Sequence, residues 1–87
     1  MNIRVHSHFK RSYRKRIAFQ KHLSIQVKNR IDQFHLNPKS PLLSDHALTG
    51  NLKGFRAFSI GGDMRIVYFI EDDVVWLYDI GSHNQVY

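Results

Sequence analysis

Two runs of β-branched and aromatic residues meet at Gly61-Gly62 in the stretch FRAFSIGGDMRIVYFI, Phe55 to Ile70. Glycine at both central positions supplies the positive φ angles that a two-residue turn demands, so the stretch is expected to form a β-hairpin. Glu71-Asp72-Asp73 separates it from VVWLYDI, a third strand-like run from Val74 to Ile80. Together the three runs predict an antiparallel meander.

Turn length sets the register of such a meander. A Gly61-Gly62 turn pairs Ile60 with Asp63, Phe58 with Arg65 and Arg56 with Val67. The acidic turn pairs Ile70 with Val74, Tyr68 with Trp76, Ile66 with Tyr78 and Met64 with Ile80. Paired residues point the same way and neighbours alternate. Phe55, Ala57, Ser59, Met64, Ile66, Tyr68, Ile70, Val74, Trp76, Tyr78 and Ile80 therefore form the expected core face, and Trp76 is assigned to packing rather than chemistry. The other face collects Arg56, Phe58, Ile60, Asp63, Arg65, Val67, Phe69, Val75, Leu77 and Asp79. Continuing the register past Gly81 brings His83 beside the Gly61 to Asp63 corner. The apolar members of this second face, Phe58, Val67, Phe69, Val75 and Leu77, amount to a patch that requires a cover, either a protein partner or a loop of the chain itself.

With 87 residues the chain is expected to be one domain, residues 1–87, because a chain of this length buries only roughly 60–65 % of its unfolded surface and has nothing left for a second core. The sequence holds no cysteine, so disulfides and thiolate metal sites are excluded. The first residues lack the apolar run, about 7 to 15 residues, of a signal peptide. No stretch approaches the ~20 apolar residues of a membrane span, and the cytoplasm is the expected location. Net charge is +6 but unevenly spread: residues 1–30 contain nine Lys or Arg and no acid, whereas residues 31–87 contain four bases and seven acids. A basic half on a small domain suits a polyanion such as nucleic acid, or is simply a well-solvated helical face.

Along the chain, Ile3 and Val5 alternate with Arg4 and His6 as in a short first strand. His6 and His8 share a face at strand spacing, but no third ligand stands near and no metal site is assigned. From Phe9 to His22 the period becomes helical, with Phe9, Tyr13 and Ile17 in one stripe and Lys10, Arg11, Arg14, Lys15, Arg16 and Lys21 around it. Ser24 reads as the N-cap of a second helix carrying Val27, Ile31 and Phe34, which Asn37-Pro38 ends. Pro38 to Lys53 reads as a connection; at sixteen residues it is long for a compact domain, and it contains His46. The fold predicted is α+β: an N-terminal strand and a two-helix hairpin packed on a twisted antiparallel β-meander.

This order of elements, with the segments LTGNLKGFRAF, GGDMRIVYFI and LYDIGSHNQVY, resembles the RelE/ParE superfamily of bacterial type II toxins, and within it the YafQ-like branch. The resemblance spans nearly the whole chain; DHALTGNLKGFR and DIGSHNQVY are its most specific parts. It implies a RelE-like fold and a toxin that acts as an mRNA interferase, a ribosome-dependent endoribonuclease held inactive by a cognate antitoxin. The alternatives are a non-enzymatic, ParE-like inhibitor of DNA gyrase and a basic binding module. Matched motif by motif, the resemblance implies catalytic roles for His46, Asp63 and His83, and a substrate-binding role for Tyr87. Ser59 stands where YafQ-like proteins usually carry another histidine, and Arg65 matches an arginine of RelE-like members.

Metal-free RNA cleavage needs a base for the 2′-hydroxyl proton, an acid for the departing 5′-oxygen, and cations near the phosphate. Histidine suits both proton tasks because an ordinary pKa of about 6.5 makes both of its forms available near neutrality. His46 and His83 are the expected pair, in either order, with Asp63 orienting an imidazole and Arg65 and Lys53 neutralising the phosphate. Tyr87 would stack on a base. No cofactor is expected; the partners expected are an antitoxin, mRNA and ribosomal RNA, with the antitoxin on the apolar patch and the basic helices toward the ribosome. Each residue also has a plainer reading: His46 a turn residue, Arg65 a cross-strand partner of Asp79, Asp63 the closer of the glycine turn, Lys53 solvated, and Tyr87 packed on the sheet edge.

Overall fold

The computed structural model describes residues 1–87. The chain runs β1 (Asn2–Val5), α1 (Ser7–Arg16), α2 (Lys21–Leu36), β2 (His46–Ala47), β3 (Arg56–Gly61), β4 (Met64–Glu71), β5 (Val74–Ser82) and α3 (His83–Val86). The expected α+β arrangement is present and is enlarged to a five-stranded mixed sheet of order β1-β5-β4-β3-β2. The N-terminal strand lies parallel to β5, and all other pairs are antiparallel. No helix is long and apolar enough to cross a membrane.

The helices start earlier than their sequence signals. The first strand stops at Val5, and the His6 ring caps α1, its Nδ1 accepting the His8 N–H at 3.0 Å. His6 and His8 are thus not on one strand face: His8 lies in the first turn of α1, stacked on Tyr78 and 3.6 Å from Asp79. α1 ends at Arg16 rather than His22, and α2 starts at Lys21, so Ser24 is inside the helix, donating to the Lys21 carbonyl. α2 ends at Leu36, as Pro38 dictates. The predicted stripes hold: Phe9, Ile17, Val27 and Phe34 are buried against the sheet. Phe34 is the centre of that contact, 4.5 Å from the Phe58 ring centroid and 5.0 Å from that of Tyr68. At the end of α1, Arg16 reaches both the Asp79 carboxylate (3.3 Å) and the Ile80 carbonyl (2.9 Å), tying the helix to β5.

The register of the meander differs from the expected one at both hairpins. The first turn is Gly62-Asp63, with Gly61 paired to Met64 and a bulge between Ser59 and Gly61. Gly61 has φ +124°, a conformation that favours glycine, and the end of the flexible Gln26 side chain of α2 lies against it. The second turn is two residues, Asp72-Asp73, with φ +53° and +64° as in a type I′ turn, and Glu71 joins the ladder opposite Val74. A second bulge, on β5 with Tyr78 as the extra residue opposite Val67 and Tyr68 of β4, lets Leu77 and Ile80 both face the helices.

These shifts reverse two of the three strand faces. Met64, Ile66, Tyr68 and Ile80 face the helices as expected. Ala57, Phe55 and Ser59 do not, and Phe58 and Ile60 take their place. On β5, Val75 and Leu77 are core, whereas Trp76 is half-buried on the opposite face, stacked on Phe69. The patch of Phe58, Val67, Phe69, Val75 and Leu77 therefore does not exist as a surface. Three of its members lie under the helices, Val67 packs with Ala57 and Val86, and Phe69 joins Phe55, Trp76 and Tyr78. Arg65 is opposite Gly81, not Asp79, which removes the cross-strand ion pair.

Candidate active site

The face of the sheet turned away from α1 and α2 carries the candidate site. The segment from Pro38 to Lys53 is more ordered than its composition suggests. Short 3₁₀ turns at Pro41–Leu43 and Gly50–Leu52 flank β2, and buried Leu43 anchors the first of them. β2 pairs His46 with Ala57 and Ala47 with Arg56, placing the loop histidine on the edge of the sheet. On the other side β5 runs into α3. Asp63 in the glycine turn accepts the His83 N–H at 3.4 Å, and Gln85 accepts the Ser82 N–H at 2.7 Å. Val86 then packs against Ala57 and Val67, which turns His83 and Tyr87 outward.

His46, His83 and Tyr87 line one open cleft of about 400 Å³, together with Ala47, Leu48, Thr49, Asn51 and Leu52. The His83 and Tyr87 rings meet edge to face, 4.6 Å between centroids. The His46 Nδ1 lies 2.9 Å from the Ser44 carbonyl oxygen. A carbonyl only accepts, so Nδ1 carries the proton, and in the neutral ring Nε2 is the bare nitrogen.

Arg65 adjoins the cleft beside Tyr87. Burial pushes the Tyr87 phenol up, against the opposing pull of the Arg65 guanidinium. One guanidinium nitrogen of Arg65, Nη1, is held by Ser59 Oγ (3.5 Å) and by the carbonyls of Gly62 and Met64 (both 3.1 Å), and the group also acts on the Tyr87 hydroxyl. Ser59 is therefore a site-face residue, contrary to its expected place in the core.

Of the remaining candidates, Asp63 reaches the backbone of His83 and not its ring, and Lys53 is exposed and does not line the cleft. Reasoning from sequence missed Thr49 and Asn51, the two uncharged polar residues of the lining. It also missed a polar cluster behind His46. The Asp45 carboxylate accepts the Tyr68 hydroxyl at 2.6 Å and Arg56 Nε at 3.2 Å. Burial pushes the Tyr68 phenol up, and Asp45 reinforces the effect; the hydrogen bond to Tyr68 in turn raises Arg56. A register one residue different would have set Arg56 opposite Tyr68 and exposed this cluster. No three His, Cys, Asp or Glu side chains are grouped as a metal site would need.

Two helices on one face of a five-stranded mixed sheet are the architecture of the small toxins related to RelE and ParE. The profile described as bacterial toxin of type II toxin-antitoxin system, YafQ, matches residues 1–87, and the chain belongs to that family. A copper-bound mutant toxin from Helicobacter pylori is similar at 27% identity and a TM-score of 0.78, over 100% of this chain and 99% of that one. YafQ from E. coli strain BL21(DE3) superimposes with a TM-score of 0.75 at 18% identity, over 99% of this chain and 97% of its own. YafQ in the E. coli DinJ-YafQ complex gives 0.72 at 19% identity, again over 99% and 97%. No curated protein sequence matches the chain.

Proposed function

We propose that this toxin is a metal-independent, ribosome-dependent endoribonuclease that cleaves messenger RNA in the cytoplasm. The observation that carries the reading is the meeting of His46, His83 and Tyr87 in one open cleft, with the Arg65 guanidinium at its side. In this reading the bare Nε2 of His46 takes the proton of the 2′-hydroxyl, whose oxygen attacks the adjacent phosphorus. The bond to the 5′-oxygen breaks, a 2′,3′-cyclic phosphate forms, and protonated His83 supplies the proton that the departing 5′-oxygen needs. Arg65 neutralises the phosphate as its charge rises. Asp63 acts by fixing the backbone of His83, Tyr87 stacks on a base, and Lys53 serves RNA only at longer range.

The outer face of α1 supports a ribosomal partner. Lys10, Arg11, Arg14 and Lys15 are exposed, and none takes part in an ion pair. Lys10 with Arg14 and Arg11 with Lys15 are like-charge pairs at i,i+4, each costing the helix about 0.2–0.5 kcal/mol. A polyanion would relieve that repulsion. Changing all four to glutamine is expected to lower the slope of log affinity for ribosomes against log salt by roughly 3 while leaving the fold intact. An unchanged slope would place the ribosomal contact elsewhere. The DinJ-YafQ complex supports a cognate antitoxin as the inhibiting partner.

The reading is tested by adding the purified toxin to translating ribosomes and mapping message ends. The expected result is cleavage with 2′,3′-cyclic phosphate and 5′-hydroxyl termini. Intact message, with loss of supercoiling in a parallel gyrase assay, would replace it with the gyrase-inhibitor reading.

A further inference from the structure

We propose that Asp45, Arg56 and Tyr68 form a clasp that sets the position of His46, which makes Asp45 a positioning residue for the acid/base pair; the proposal rests on reading the cleft as a ribonuclease site. His46 stands on a strand of only two residues, extended by one further bond from the Leu48 N–H to the Phe55 carbonyl at 2.9 Å. A ladder that short opens readily by itself. On its other side Ser44 takes a left-handed conformation, φ +49°, that disfavours residues other than glycine. Between buried Leu43 and the Leu48 bond, the backbone at His46 is thus held only by this two-residue ladder.

Asp45 supplies the missing restraint, and both its oxygens are used. Oδ2 accepts the Tyr68 hydroxyl at 2.6 Å, and Oδ1 accepts Arg56 Nε at 3.2 Å, with that Nε also 3.2 Å from the Tyr68 oxygen. Tyr68 is 2% exposed, its ring set between Phe34 and Phe58, so its hydroxyl is a fixed point of the core. Arg56 and Tyr68 are ladder partners on β3 and β4. Asp45 is therefore bound to two adjacent central strands, and charge-assisted bonds of this kind are directional as well as strong. The next residue is His46. An imidazole displaced by about 1 Å from its place of reaction loses roughly 100-fold in rate, so the clasp acts on catalysis through geometry.

Two variants of the full chain test this, Asp45→Asn and Tyr68→Phe, the latter keeping the ring and deleting only the hydroxyl. Each is expected to lower kcat for message cleavage by roughly 10- to 100-fold with KM within about 3-fold. Neither should lower it further in a His46→Ala background, where the residue being positioned is gone. In the free protein, the ring nitrogen signals of His46 should move from one tautomer, protonated at Nδ1, to a mixture. Equal losses with and without His46, or unaltered ring signals, overturn the proposal. The ring signals need no catalysis, so a wild-type protein that cleaves nothing but shows the tautomer change removes the nuclease reading and supports the clasp. Cleavage that depends on His46 but not on Asp45 or Tyr68 does the reverse. Should Asp45→Asn fail to fold, Tyr68→Phe carries the same comparisons.

Discussion

His83→Ala is expected to slow message cleavage on translating ribosomes by ~10²–10⁴-fold, and His46→Ala by a similar factor, because in the proposed ribonuclease reading each removes one of the two proton-transfer groups. The fold has no reason to suffer in either case. His83 and His46 are exposed, and α3 stays attached through Val86 and the Ser82 to Gln85 bond. Affinity for the ribosome should therefore change little while kcat falls, and the double variant should lose less than the product of the two single losses, since the pair acts as a unit. The pH profile separates the roles. Wild type should show a bell, because one imidazole must be neutral and the other protonated. With His46 as base, His46→Ala should flatten the acidic limb, where protonation of the base normally removes activity, and His83→Ala should flatten the basic limb. Reversal of the two would exchange the roles; two variants that cleave like wild type would end the proposal for both.

Phe34→Ala is expected to destabilise the fold by about 3–5 kcal/mol, the largest loss from any single truncation of the helix–sheet contact. Phe34 is 1% exposed and touches two other buried rings, Phe58 and Tyr68, so its removal leaves a cavity roofed by α2 and floored by two strands that cannot collapse together. A chain of 87 residues has about 4–13 kcal/mol in all. Urea unfolding followed by circular dichroism should show the midpoint shifted to low denaturant or a partly unfolded protein in buffer. The loss should also reach the clasp, because Phe34 backs the Tyr68 ring. A change under about 1 kcal/mol would mean that the helices contribute far less than this packing implies.

The architecture was legible in the sequence because its signals are redundant along each element. Phe9 of α1 and Ile17 just past its end, and Val27 and Phe34 of α2, repeat at helical spacing, and Ile66 and Tyr68 keep the β4 alternation, so one misplaced boundary does little harm. Register had no such redundancy. Gly61-Gly62 and Gly62-Asp63 are both sound two-residue turns, and the bulge between Ser59 and Gly61 that accompanies the second leaves no mark in the sequence pattern. The extra residue Tyr78 reverses parity in the middle of β5, whose residues are mostly apolar, so pattern alone could not reveal it. His83 nevertheless reached the glycine corner, because Ser82 pairs with Met64 immediately beside that turn. That His46 and Tyr87 would line the same cleft as His83 was signalled by motif alone. The contact between Arg65 and Ser59 was hidden by the same one-residue slip that hid Arg56 and Tyr68 from each other.

The parallel docking of β1 against β5 has a consequence for biosynthesis. Asn2–Val5 leave the exit tunnel well before Val74–Ser82, their neighbour in the sheet. α1 likewise waits for Asp79 and Ile80 before Arg16 has anything to grip. Contacts between such distant parts of a polypeptide form late. A nascent copy therefore has no finished sheet until translation has passed Val74–Ser82.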